Sequence, residues 1–262
     1  MRAALILLLA LTACAPKPKP LRVCADPNNL PFSNQAGEGF ENRLVALVAR
    51  DLGRPVEYTW WAQRRGYVRN TLRDDRCDLW PGVATQVEML ATTRPYYRST
   101  YVFVTRADRR IAIDSLDDPD LRRLTIGVQM IGDDSSNTPP THALARRGIV
   151  QNVRGYMLYG DYSKPNPPAA IVEAVDRGEV DVAVAWGPLA GYFAGKAQHP
   201  LTLTPVRPWL DGPQWPMVFD VSMGVRREDT ELRERLDEVL ERRAPEIRAL
   251  LAEYRVPTVS LP

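Results

Sequence analysis

LRVCADPNNLPFSNQAGEGFENRLVALVARDLG, residues 21–53, has the pattern of a strand, a long loop and a helix. Residues 21–26 form a short apolar run typical of a buried strand, and the run ends at Pro27. From Phe40 to Leu52 apolar residues recur at helical spacing, and Gly53 suits the end of a helix. In an open α/β sheet, ligands meet the loops that leave the carboxyl ends of the strands. Residues 26–39 are therefore predicted to lie at the mouth of a site.

The first fourteen residues resemble an export signal that ends in a lipobox. Residues 3–11 are an apolar run too short to span a bilayer as a helix. In LTAC, residues 11–14, Cys14 would become the acylated first residue, unless the segment is a plain secretory signal with an incidental cysteine. Residues 15–20, APKPKP, suit an extended tether. We expect a periplasmic protein held by a lipid anchor.

Composition and charge exclude several classes of protein. The chain has 34 Lys and Arg against 32 Asp and Glu, a balance that argues against nucleic-acid binding. Its two histidines, His142 and His199, lie beside no nucleophile motif, and no Gly-rich phosphate loop is present, so we do not expect an enzyme. The acidic run 117–120 lacks the spacing of a calcium loop. We expect no metal and no cofactor.

Export changes the interpretation of the remaining cysteines, because disulfides persist in the periplasm. Cys24 lies in the first predicted strand and Cys77 opens a later one, 77–83. If these strands are neighbours in a parallel sheet, the two side chains come within bridging distance. The alternative is two free buried thiols.

The rest of the chain alternates strands and helices, which favours an α/β fold. We predict two sheets, mostly parallel with helices on both faces, arranged as a two-domain clamshell. Domain one would comprise 21–106 and 216–262, and domain two 107–215, with one crossing after the strand 101–105 and the other through the Pro- and Trp-rich loop 207–217. Helices are predicted at 65–73, 86–92, 141–147 and 167–177, and a final helix from Thr230 should break near Pro245.

This order resembles the type II periplasmic solute-binding proteins over nearly the whole chain after the leader. More specific strings resemble the MxaJ and XoxJ subfamily, among them RVCADPNNLPFSN (22–34), IGDDSSNTPPTHALARRGI (131–149) and FDVSMGVRR (219–227). Members of that subfamily are encoded beside pyrroloquinoline-quinone (PQQ) methanol dehydrogenases and are regarded as their accessory factors. The resemblance implies that the partner is a PQQ-dependent methanol or alcohol dehydrogenase, with its cytochrome c as a further candidate.

The sequence departs from amino-acid binders at both ends of the ligand site. Such binders hold the ligand carboxylate with an Arg after the third strand, and the corresponding position here is Gln86. They hold the ammonium with an acid where this chain has Trp186. Both halves of the zwitterion clamp are therefore absent.

The predicted cleft loops supply amide, hydroxyl and aromatic groups instead, which suit a protein segment or an apolar ligand. For Trp80 and Trp186 a place in the core remains open, Asp133 also suits helix capping, and Gly187 with Pro188 favours a turn after Trp186. Two functions remain: an accessory protein that binds the dehydrogenase through the cleft, or the binding protein of an ABC importer for a small solute other than an amino acid. The candidate cleft residues are Asn28, Asn29, Phe32, Trp80, Gln86, Gln129, Asp133, Asn137, Thr138 and Trp186.

Overall fold

The computed structural model describes residues 17–131 and 137–260. The export signal, Cys14 of the lipobox and Asp133 lie outside these residues. Within them, no helix combines the length and the apolar character needed to cross a membrane.

Fourteen strands are found in the described residues, several of them only two residues long. They are β1 (Leu21–Ala25), β2 (Asn28–Asn29), β3 (Ser33–Asn34), β4 (Val56–Trp60), β5 (Trp80–Ala84), β6 (Ala91–Thr92), β7 (Tyr97–Arg106), β8 (Ile126–Met130), β9 (Val153–Met157), β10 (Val182–Trp186), β11 (Leu201–Pro205), β12 (Leu210–Asp211), β13 (Trp215–Pro216) and β14 (Val218–Val225).

Seven α-helices connect or flank these strands in the same part of the chain. They are α1 (Phe40–Asp51), α2 (Tyr67–Asn70), α3 (Pro139–Arg146), α4 (Ala170–Asp176), α5 (Gly187–Ala194), α6 (Thr230–Arg242) and α7 (Ala244–Glu253).

The long strand β7 joins two lobes. Its first residues, Tyr97 to Thr100, pair antiparallel with β14, whereas Tyr101 to Arg106 pair antiparallel with β10 and β11. In the second lobe β10 and β9 both run parallel to β8, and in the first lobe β1 runs parallel to β4. The result is the expected α/β clamshell. In place of two mostly parallel sheets, one mixed eight-stranded sheet runs through both lobes, because β7 pairs antiparallel in each of them. The domain bounds at residues 107 and 215 stay a prediction, and within β7 the partner strands change between Thr100 and Tyr101.

Helices cover both faces of the second-lobe sheet, as alternation along the strands requires. In β10, Val182 and Val184 face one apolar cluster with Leu144 of α3, while Ala183 and Ala185 face another with Ile171 of α4. In the first lobe α1 packs its Phe40 and Leu44 face against β1 and against the C-terminal helices α6 and α7. The amphipathic pattern of 40–52 therefore builds the core that positions the loop after β1.

Several local predictions are confirmed. Cys24 and Cys77 form a disulfide with their Cα atoms 5.5 Å apart, and β1 lies beside the start of the β5 segment through a parallel bridge between Val23 and Leu79. The C-terminal helix breaks at Arg243, between α6 and α7 and two residues before Pro245. The strand–loop–helix reading of residues 21–53 is confirmed by β1 and α1.

Two local predictions are wrong. Residues 86–90 are not helical: Gln86 has φ +65°, and the following strand β6 pairs with β14 instead. Tertiary pairing overrides the local preference of so short a segment. After Trp186 the chain does not turn but enters α5 at once, with Pro188 in the first helical turn, where its fixed φ is tolerated.

Candidate functional site

A cavity of about 260 Å³ lies between the two lobes. The loop after β1, helix α1, strand β5 and the ends of β7 and β14 enclose it from the first lobe, and β8, β10 and the residues after β9 enclose it from the second. Its lining residues are Asn29, Phe32, Glu41, Gln63, Gly82, Val83, Ala84, Tyr97, Tyr101, Gln129, Leu158, Tyr159, Trp186, Leu189, Phe219 and Val221.

Aromatic rings form much of the wall. The Trp186 ring centroid lies 5.3 Å from that of Tyr101 and 5.8 Å from that of Phe219, in edge-to-face arrangements. Phe32, at the other side, lies 5.5 Å from Phe40 of the first-lobe core. Because Trp186 is half-buried and packs against apolar clusters of both lobes, the indole is at once part of the core and part of the cavity wall.

Glu41 is the acidic residue of the lining. It is the second residue of α1 and only 4% exposed, and the carboxyl packs so closely on β5 that a Cβ at Gly82 would lie 1.9 Å from its Oε1. Within residues 17–131 and 137–260 no hydrogen-bond donor or basic side chain contacts this carboxyl. Burial, with a smaller contribution from the charge of Asp26, raises the pKa of Glu41 to about 8.

Asp26 ends β1 and is fully buried, but unlike Glu41 it is well hydrogen-bonded. Its carboxylate accepts the backbone N–H of Asn28 at 2.9 Å, that of Gln63 at 2.7 Å, and the hydroxyl of Tyr162 at 2.5 Å. Burial and this hydrogen bond raise the pKa of Tyr162 above its ordinary value. Because Tyr162 belongs to the second lobe, Asp26 connects the lobes beside the cavity.

Asn28 makes a second connection at the same edge. Its Nδ2 donates to the carbonyl of Lys164 at 2.8 Å, and its Oδ1 accepts the backbone N–H of Asn166 at 3.1 Å. Asn29 turns the other way and donates from Nδ2 to Oε1 of Gln63 at 3.0 Å. The loop after β1 thus carries both lobe-to-lobe contacts and part of the lining.

Gln129 is the buried amide of the second lobe, at 1% exposure. Its Oε1 accepts the backbone N–H of Trp186 at 2.9 Å, which fixes the orientation of the amide. Its Nε2 then remains without an acceptor in the described structure. A buried donor without a partner is costly, so this nitrogen suits a hydrogen bond to an added group.

Of the nine predicted residues that the structure describes, four lie in the lining and five lie elsewhere. Asn29, Phe32, Gln129 and Trp186 line the cavity, and Asn28 lies at its edge. Trp80 packs on Tyr67 at 4.8 Å, in the apolar cluster that contains the disulfide. Three more stand outside the described lining: the exposed Gln86, Asn137, and Thr138, whose hydroxyl donates to the Gln129 carbonyl at 2.7 Å.

The lining also contains residues that sequence reasoning missed, chiefly Glu41, Tyr97, Tyr101 and Phe219. One signal was available for Glu41: it directly follows the first core residue of α1, so a helix that buries Phe40 carries an acid close to its buried face. For the strand residues, alternation does not distinguish a core side chain from one that faces a cavity. In the described chain no cluster of three or more His, Cys, Asp or Glu is placed to hold a metal.

Comparison with known proteins gives consistent results. The family model for bacterial extracellular solute-binding proteins, family 3, matches residues 21–254. Protein MoxJ of Methylorubrum extorquens is 35% identical over 262 residues, covering 95% of this chain and 85% of MoxJ. The crystal structure of the periplasmic binding protein XoxJ from Methylobacterium extorquens AM1 superposes with a TM-score of 0.75 at 36% identity, over 92% of this chain and all of XoxJ.

A second solved structure extends the similarity at lower identity. MxaJ from Methlophaga aminisulfidivorans MPT gives a TM-score of 0.78 at 26% identity, over 91% of this chain and all of MxaJ. Both matches cover the two lobes and therefore the elements that enclose the cavity.

Proposed function

This chain belongs to the bacterial extracellular solute-binding proteins, family 3, and on that premise we propose that it is a periplasmic accessory protein of a PQQ-dependent methanol or alcohol dehydrogenase. The similarity to MoxJ, XoxJ and MxaJ over nearly the whole chain supports this role. Its action is to bind the dehydrogenase during maturation or activation, without catalysing a reaction. A lipid anchor at Cys14 holds it at the membrane in the same proposal.

The observation that carries the proposal is the chemistry of the cavity lining. The described lining contains no Arg or Lys, and its acidic residue is a carboxyl without a cationic partner. An amino-acid carboxylate entering this space keeps its desolvation cost and gains no counter-ion. The cavity therefore does not suit the nutrient role that amino-acid binders of this fold perform.

Two exposed apolar side chains beside the cavity offer contacts for a protein partner. Ile131 and Met157, at the ends of the neighbouring strands β8 and β9, are 39% and 49% exposed, and the next residue, Leu158, lines the cavity. Methionine is enriched in protein interfaces relative to the rest of the surface. We place the dehydrogenase across these two side chains and the cleft mouth, with Asn28, Asn29 and Trp186 as candidate contacts inside.

The test is capture of the dehydrogenase from periplasmic extract by the immobilised protein, followed by affinity measurement with the purified enzyme. Met157→Ser is expected to weaken binding at least tenfold, because interface energy concentrates in a few apolar anchors. Val150→Ser is the matched control: Val150 is 51% exposed but precedes β9 at the opposite end of the sheet. Equal affinities of the two variants would contradict the proposed surface.

A second candidate, the binding protein of an ABC importer for a small solute, is favoured by one observation. The cavity is walled by both lobes, which suits a small molecule held between them. Neighbouring permease and ATPase genes would support import, whereas dehydrogenase and cytochrome c genes would support the accessory role.

A further inference from the structure

The described lining of the cavity contains an acidic side chain and no basic one. Glu41 lines it, Asp26 is buried directly behind, and the described lining offers no basic side chain to either. Proteins pair buried carboxyls with cations or hydrogen-bond donors, because an unpaired buried charge is costly. Asp26 has three donors and is satisfied, whereas Glu41 has none in the part of the chain that the structure describes. The missing partner in this space is a positive or proton-donating group.

The surroundings of Glu41 restrict where that partner can come from. Close packing on Gly82 leaves no room for another side chain on the β5 side of the carboxyl. The remaining approach is from the cavity, whose walls are mostly aromatic and aliphatic: Phe32, Tyr97, Tyr101, Trp186, Leu189 and Phe219. Aromatic faces attract cations as well as apolar groups.

Gln129 adds a donor at the wall contributed by the second lobe. Since Trp186 N–H occupies its Oε1, only Nε2 is available for an additional hydrogen bond. We propose that the cavity binds a small primary ammonium ion with an apolar body and no carboxylate, with Glu41 as its counter-ion; where such a ligand also carries an oxygen, Gln129 Nε2 donates to it. This inference goes beyond the dehydrogenase role and does not depend on it.

The charge of the ligand distinguishes an ammonium ion from the two alternative ligands, a carboxylate and a neutral alcohol. A carboxylate ligand would meet Glu41 and Asp26 without a compensating cation. A neutral alcohol could occupy the apolar walls and hydrogen-bond to the protonated Glu41, but it would add no ionic attraction to the carboxylate. A primary ammonium supplies N–H donors to the carboxyl and a cation to the aromatic rings in one group.

Binding should therefore be coupled to the proton on Glu41. The empty protein holds this proton at pH 7, because burial and Asp26 raise the pKa to about 8, and an ammonium ion favours the ionised form. Ammonium binding at pH 7 is expected to release a proton from Glu41, and affinity should rise with pH toward the raised pKa of this carboxyl. Besides Asp26, the titratable groups electrostatically coupled to Glu41 are Tyr58, Tyr67, Tyr96 and Tyr97.

Three molecules of nearly equal shape test the proposal by calorimetry on the full protein: 3-methylbutylammonium, 3-methylbutanol and 3-methylbutanoate. We expect the ammonium to bind with a Kd below about 1 mM, the alcohol at least tenfold more weakly, and the carboxylate not measurably. Titrations at pH 7 in two buffers of different ionisation enthalpy measure the released proton.

Glu41→Gln should reduce ammonium affinity at least tenfold and abolish proton release, while its circular-dichroism spectrum stays that of the wild type, which shows that the protein is still folded. Glu57→Gln, in an exposed position on β4, is the control and should behave as the wild type. Failure of the ammonium to bind, equal binding of the alcohol, or full ammonium binding by Glu41→Gln would each overturn the proposal.

Discussion

Glu41 also makes the stability of the protein depend on pH, and this dependence can be isolated with one substitution. The carboxyl is 4% exposed, has no hydrogen-bond donor among the described residues, and has a pKa of about 8 in the folded protein, against an ordinary value of 4.5. Between these two values the unfolded chain has released the proton while the folded chain still holds it. Rising pH therefore favours unfolding across this window.

The magnitude follows from the linkage between proton binding and folding. The free energy of unfolding falls by about 1.4 kcal/mol for each pH unit within the window. Glu41 should accordingly cost about 3 kcal/mol of stability by pH 7 and about 5 kcal/mol above pH 8, relative to pH 4. The stability of the protein with a protonated Glu41 is fully present below pH 4.5 and is lost as pH rises through 8.

Glu41→Gln removes this titration while keeping the shape of the side chain. Leaving a buried amide without a partner costs about 1 to 3 kcal/mol, but that cost is the same at every pH. The assay is urea unfolding of both proteins from pH 4.5 to pH 8.5, without ligand, and the quantity compared is the difference between their unfolding free energies. We expect this difference to shift by about 4 kcal/mol in favour of the variant across the range.

Glu57→Gln serves as the control, because the Glu57 side chain is exposed on β4 and should give a pH-independent difference from the wild type. If the difference in unfolding free energy between Glu41→Gln and the wild type is also independent of pH, the reasoning is refuted. It would mean that the carboxyl is solvated or partnered in solution and is not the unpaired buried group on which the ligand argument rests.

Four further predictions concern other parts of the chain. Replacing both Cys24 and Cys77 with Ala should lower the free energy of unfolding by about 4 kcal/mol, measured by urea titration, because the bridge closes a loop with a sequence separation of 53; an unchanged midpoint would contradict this. Thermal-shift and calorimetric screening with the twenty amino acids should find none that binds more tightly than about 1 mM, an interaction of roughly 4 kcal/mol; a micromolar ligand would return the protein to the importer class. Trp186→Ala should lower stability by about 3 to 5 kcal/mol through lost contacts with Tyr101 and Phe219 and weaken dehydrogenase binding about tenfold or more; unchanged affinity in a folded variant would remove Trp186 from the interface. Mass spectrometry of the mature N-terminus should find acyl chains on Cys14, and an unmodified N-terminus would disprove the lipid anchor.

Much of the fold was predictable because local sequence patterns specify its strands and helices. Residues 21–26 and 40–52 carry strand and helix periodicity over enough positions to specify β1 and α1. Pro245 likewise marks the break between α6 and α7, and the paired Cys24 and Cys77 indicated which strands are neighbours. Each signal depends on residues close in sequence, or on a covalent chemistry that only cysteines can provide.

The candidate site was only partly predictable. The loop after β1 was correctly identified as lining material, since Asn29 and Phe32 follow a strand at its carboxyl end. Gln129 and Trp186 were found for the same reason. Trp80 shows the limit of that rule: it stands at the start of β5, before the residues of this strand that line the cavity, and it packs on Tyr67 beside the disulfide.

By itself, therefore, the sequence determined the α/β clamshell and the disulfide pair, because periodicity and covalent chemistry act over short distances. The absence of a zwitterion clamp stays a prediction. Only the tertiary structure decided that Glu41 stands without a partner among the described residues. That property depends on the absence of donors from β1, β5, β7 and the second lobe together, and on the contact with Gly82, 41 positions away in the chain. A buried charge is defined by everything packed around it, and the packing of distant segments has no local signature.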